Sequence, residues 1–234
     1  MGQKTVQSSL ATFNTMQSYF SNNGYVTKDI LFPEKISELS KGIWGYCKPV
    51  SVRVTYYDGI STGGSVQYKG SIAYYSPTLS KEITAVLTAT NKDKAIIVAH
   101  SMGGIISRYY IKNGEGQSKI DKLITISSPH YGARDLFTSF PGVESETKEM
   151  GIGSSFLNSL NNPSDSLIDS YSIMGESGSC ALGLERCDGV VYVSKAKLNQ
   201  GKDFVLLKGN EYGHSSIVDQ QDVAQKVLGI INFP

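Results

Sequence analysis

Apolar residues recur along this chain at two alternating spacings, and the alternation predicts its elements. Leu10, Phe13, Met16 and Phe20 lie at helical spacing, and Asn23-Gly24 ends the helix they predict. Val50 to Tyr57 is rich in β-branched and aromatic residues and predicts a strand. Asp58 to Ser76, rich in Gly, Ser and Tyr, predicts a long loop, and Pro77 opens a helix that runs to Thr90. Ala95 to Ala99 is a continuous apolar run, which suits a central strand buried on both faces. Gly103 to Lys112 predicts a helix ending at Asn113-Gly114, and Leu123 to Ser127 a second buried strand. Residues 132–162 are irregular apart from a helix over Ser154 to Leu160. Ser170 to Met174 and Phe204 to Leu207 predict two more strands, while the apolar run Val190 to Val193 is not assigned to one. Ile217, Ala224, Val227, Leu228 and Ile231 trace the apolar face of a closing helix. Strands alternating with helices predict an α/β fold, a mostly parallel sheet with helices on both faces.

Length and composition narrow this picture. A chain of 234 residues fits a single sheet-based domain over 1–234, with 132–162 as a candidate small cap or loop region. Lys plus Arg number 22 and Asp plus Glu 21, a formal charge of +1, so no nucleic-acid partner is expected from bulk charge. No apolar run approaches the roughly 20 residues that span a bilayer. No apolar signal region stands at the N-terminus, and Val6 spoils a myristoylation pattern that would need Ser or Thr there. Cys180 and Cys187 sit close together in a polar stretch and are candidates to pair, which leaves Cys47 over; three unpaired thiols is the alternative. No histidine pair has metal-ligand spacing, so no metal site is expected.

The segment that carries chemistry is Ala99-His100-Ser101-Met102-Gly103-Gly104. It lies between a buried strand and a helix, the context a nucleophile elbow requires. A Ser at the tip of so tight a turn is strained, and its neighbours two residues away, here Ala99 and Gly103, must be small. The following helix aims its first N–H groups at the site, and the backbone of Met102 is the candidate oxyanion donor.

A serine hydroxyl needs a base, and the base an orienting acid. In a strand–elbow–helix hydrolase the chain order is Ser, acid, His. Of the three histidines, His100 adjoins Ser101 and is expected to point away from the elbow. His130, in Ser128-Pro129-His130, is expected to organise its loop. His214 follows the strand Phe204 to Leu207 and precedes the last helix, where the base belongs. Asp188 is the best-placed acid. Asp169 lies at the start of a strand, on the wrong edge; Glu185 is a weaker second; Asp219 follows the base and breaks the order.

These residues also carry a family likeness. The Ala99–Gly104 segment, Tyr109 to Asn113 and Ile124 to Gly132 resemble the lipase branch of the α/β-hydrolase superfamily, and small bacterial lipases with little or no lid in particular. Asp188 to Val191 and Gly213-His214 match its acid and base segments, and Gly153 to Asn161 resembles a further segment common in related lipases. The resemblance implies carboxylic-ester hydrolysis through an acyl-enzyme on Ser101, a small acyl ester or lipid as substrate, transient contact with a lipid interface, no cofactor, and an extracellular setting. It says nothing of oligomeric state. Such lipases also have an apolar strand ending in His-Gly, which provides the second oxyanion donor. No such strand precedes Leu10, so a missing N-terminal stretch is expected, with Met1 the nearest substitute donor. The same likeness leaves room for an acyltransferase, thioesterase or lipid deacylase, and the absent strand for a truncated, non-catalytic lipid-binding relic. Tyr68, Tyr74 and Tyr75 in one long loop, and Leu136, Phe137, Phe140, Phe156, Leu157 and Leu160 in the other, are candidates for an acyl pocket or for plain core cover.

Overall fold

The computed structural model describes residues 11–45, 47–57, 71–134, 145–162, 168–180 and 185–233. Helix α1 (Asn14–Asn22) leads into β1 (Val26–Leu31), which pairs in parallel with β2 (Val50–Val54). Helix α2 (Ser76–Thr90), β3 (Ala95–His100), helix α3 (Met102–Asn113) and β4 (Ile120–Ile126) follow. Then come helix α4 (Ser155–Leu160), β5 (Asp169–Glu176), two short strands β6 (Gly178–Cys180) and β7 (Glu185–Cys187), β8 (Asp203–Lys208) and helix α5 (Gln221–Asn232). Strands β3, β4, β5 and β8 form one parallel sheet in that order, and β6 pairs with β7 as an antiparallel hairpin. The α/β architecture expected from the sequence is present, with helices on both faces of a parallel sheet.

The two-residue period of β4 explains how the sheet divides the core. Leu123 points to one face, where Ile83, Ile105, Ile106 and Tyr110 of α2 and α3 meet it. Ile124 and Ile126 point to the other, against Met16 and Phe20 of α1 and Val223 and Val227 of α5. Each of those isoleucines is fully buried, which contributes roughly 1.5–3 kcal/mol apiece. Helix α2 stops at Asn91, whose φ of 51° puts it in the left-handed region that ends helices.

Three differences from the sequence reading have physical causes. Strand β1 was not expected, because Val-Thr-Lys-Asp-Ile-Leu carries two adjacent charges and buries only Leu31; parallel pairing with β2 makes it a strand. The closing helix begins at Gln221, and Ile217 belongs to a separate 3-10 turn over Ile217–Asp219. The third concerns β3, which the apolar run predicts as a central strand. Among the described residues it is an edge of the four-stranded sheet, and Ala95 to Val98 are only half-buried. A cavity of about 1020 Å³ separates it from β2, lined by Val50, Val52, Ile96 and Val98 from the strands and by Met16 and Val86 from the helices.

Among the described candidates for an acyl pocket or core cover, core packing prevails. Tyr75, Leu157 and Leu160 pack in the core, with Phe156 partly buried beside them, and Tyr74 is exposed. Tyr68, Leu136, Phe137 and Phe140 lie outside the described residues.

Candidate active site

The turn from β3 into α3 places Ser101 at φ 53° and ψ −127°, a conformation an L-residue occupies only at a cost of about 1–3 kcal/mol. The sheet fixes that turn, since the Ser101 N–H donates to the Ile126 carbonyl at 3.0 Å. Gly104 lets α3 settle onto the loop after β4; a Cβ there would lie 2.2 Å from Ser128 Oγ and 2.8 Å from Ser128 Cβ. The expected limit at Gly103 is looser, because a Cβ would meet Ala99 Cβ at 3.7 Å and the Tyr56 ring at 3.9 Å, both ordinary contacts. Tyr56 thus flanks the elbow. Burial, then Tyr57, Tyr75 and Glu82, push its phenol well above the usual range, so it stays a hydroxyl donor at neutral pH.

The candidate base, His214, comes from the loop after β8. Gly175 in β5 allows that loop to close on the sheet, since a Cβ there would lie 2.0 Å from the Tyr212 carbonyl oxygen. The His214 N–H donates to the Asp188 carbonyl at 2.8 Å, which joins the two loops. Side chains then form one chain of hydrogen bonds. His214 Nδ1 stands 2.8 Å from Asp188 Oδ2, and His214 Nε2 2.9 Å from Ser101 Oγ. An ionised carboxylate only accepts, so the ring proton sits on Nδ1, and Nε2 is left to accept from the Ser101 hydroxyl. Asp188 Oδ1 accepts from the N–H groups of Val190 at 2.9 Å and Val191 at 2.7 Å. Burial alone would raise this carboxyl, but the bond and charge of His214 and the two backbone donors hold it below the usual carboxylate range. A hydroxyl on such an imidazole can pass its proton away as it attacks a carbonyl carbon.

Met102 opens α3 directly after Ser101, so its backbone N–H belongs to the first, unpaired turn of a helix. Met1, the second donor candidate, lies outside the described residues. The rival acids stand apart. Asp169 pairs with Lys202 at 2.7 Å at the opposite end of β5, Glu185 in β7 accepts from Ser194, and Asp219 sits in the 3-10 turn after the base.

Two further histidine environments emerge. His130 is fully buried and ties its loop down: Nε2 meets Thr125 Oγ1 at 2.9 Å, Nδ1 lies 3.5 Å from Arg108, and its carbonyl accepts from Asn161 at 2.9 Å. His100 turns away from Ser101 but not from the site. Its Nε2 donates to the His214 carbonyl at 2.7 Å, with the two rings 5.0 Å apart. Sequence reasoning missed this contact, and no local signal carries it, because the two residues are 114 positions apart. Cys180 and Cys187 form a disulfide next to Asp188, and Cys47 is exposed and unpaired.

Comparison with known proteins agrees on the fold. A family model described as alpha/beta hydrolase fold matches residues 57–150. Lipase BlEst2 of Bacillus licheniformis, in mature form, is similar at 16% identity and a TM-score of 0.58, over 71% of this chain and 76% of that one. A gene product of Listeria innocua is similar at 16% identity and a TM-score of 0.62, over 96% and 90%. Phospholipase PlaB of Legionella pneumophila is similar at 15% identity and a TM-score of 0.67, over 96% of this chain but 57% of that one. The parallel sheet, the strained serine turn between β3 and α3 and these likenesses together make this chain a protein of the alpha/beta hydrolase fold.

Proposed function

We propose that this chain is a serine hydrolase of carboxylic esters. The observation that carries the reading is the unbroken run Ser101 Oγ, His214 and Asp188, with bonds of 2.9 and 2.8 Å. Ser101 attacks the ester carbonyl while His214 Nε2 takes its proton. The tetrahedral oxygen then carries negative charge, and the Met102 N–H stabilises it. His214 returns the proton to the leaving alcohol, which departs and leaves an acyl-enzyme. Water, activated by the same imidazole, releases the acid. Asp188 holds the ring in the accepting tautomer and balances the imidazolium. The names lipase and phospholipase among the similar structures favour a lipid or small acyl ester as substrate. The same reading takes residues 1–234 as one domain, with 132–162 as a small cap or loop region.

The test pairs a fluorescent phosphonate with a short-chain chromogenic ester, on the chain and on Ser101→Ala and His214→Ala. Labelling and turnover in the parent, both lost in the variants, are expected. A folded parent that takes no label would refute the assignment of Ser101 as nucleophile. Thioester and alcohol-acceptor arms separate plain hydrolysis from thioesterase or transferase activity.

A further inference from the structure

Cys187 is the residue before Asp188, and it is fixed more firmly than a loop neighbour needs to be. The hairpin it ends has three residues in each strand, and so short a pair is marginal in water by itself. A disulfide from Cys180 to Cys187 closes it, with Cα atoms 5.8 Å apart and both cysteines buried. Beyond the covalent bond, the Cys187 carbonyl accepts from the Ser177 N–H at 3.0 Å, and its sulfur accepts from the Gly189 N–H at 3.3 Å. The hairpin's ion pair, Arg186 to Glu176 at 2.6 Å, uses an arginine that is 65% exposed, so it adds little. Asp188 passes its position on twice, through its carboxylate to the His214 ring and through its carbonyl to the His214 N–H at 2.8 Å.

We propose that the Cys180–Cys187 disulfide is a positioning element of the active site, setting where Asp188 sits and thereby how the His214 imidazole is aimed at Ser101. The proposal rests on the reading of Ser101 as nucleophile. Its effect belongs to turnover rather than to substrate binding, because the hairpin acts on the base through the acid.

Dithiothreitol tests this on the intact chain. It passes two electrons and two protons to the bond, giving two thiols and its own cyclic disulfide. Ester turnover is expected to fall about tenfold or more, with KM within about twofold and circular dichroism unchanged, and to return on reoxidation. The double variant Cys180→Ser/Cys187→Ser is expected to match the reduced chain, and Cys47→Ser to match the parent before reduction. One readout needs no substrate: the low-field proton signal of His214 Nδ1–H on Asp188 is expected in the oxidised chain and lost in the reduced one. A reduced, folded chain with full kcat and an unchanged low-field signal would overturn the proposal. If the oxidised chain turns over no ester, the reading of Ser101 fails, and the proton signal still decides whether the disulfide positions the pair.

Discussion

At the scale of single residues, two histidines outside the hydrogen-bonded run make separate predictions. Burial first, and the Arg108 charge second, push the His130 imidazole well below its usual range, while burial lowers Arg108 itself to about 10 and leaves it charged. The folded state thus keeps His130 neutral where the unfolded chain, near pH 6.5, takes up a proton. Protons bound only by the unfolded state reduce stability as pH falls. The His130 contribution is therefore whole above about pH 6.5 and drains away below it, by up to about 1.4 kcal/mol per pH unit until the folded imidazole also titrates. Urea unfolding at pH 7.5 and 5.5 checks this, with His130→Gln expected to show the shallower difference. His100 ties down the His214 backbone through its carbonyl. Loss of its bond in His100→Ala, worth about 0.5–1.5 kcal/mol, is expected to slow turnover about two- to thirteenfold, read as kcat with the fold monitored in parallel.

At the scale of elements, close approach explains why particular glycines stand where they do. Gly175 lies inside β5, where its lack of a side chain would ordinarily weaken a strand. Here it admits the loop that carries His214, and the atom a Cβ would strike is the Tyr212 backbone oxygen, which cannot rotate aside. Gly175→Ala is expected to cost about 1–3 kcal/mol of stability by thermal or urea unfolding, with activity falling alongside because His214 shares that loop. A variant as stable as the parent would show that the 209–214 segment moves freely from the sheet.

At the scale of the whole molecule, the described parallel strands form two sheets, β1-β2 and β3-β4-β5-β8. Strand β3 leads into Ser101, yet among the described residues β4 guards only one of its edges, and its apolar side chains border a cavity that ends at β2. A parallel strand directs alternate N–H groups to its two sides. Amide exchange followed by NMR is expected to show strong protection throughout β4 and fast exchange at every second residue of β3. Uniform protection along β3 would mean that the gap is closed in solution.

Much of this was legible in the amino-acid order. Apolar runs marked the strands β4, β5 and β8, apolar spacing marked the helices α1 and α5, and Pro77 and Asn113-Gly114 marked an end of α2 and of α3, because burial and chain stops leave a local mark. The elbow was legible for a similar reason: a tight strand-to-helix turn needs Ser101 among small neighbours within a few positions. His214 and Asp188 followed from chain order among few candidates. What only the tertiary structure decided is everything set by distant chain segments meeting. Charges hid β1 until β2 paired with it, and β3 reads as central but stands at an edge among the described residues, since an apolar run records hydrophobicity and not the number of neighbours. The contact of His100 with His214 has no local pattern at all, because it depends on how loops from separate strands converge at one end of the sheet; the Cys180–Cys187 pair was a local candidate, and only the hairpin decided between a disulfide and free thiols.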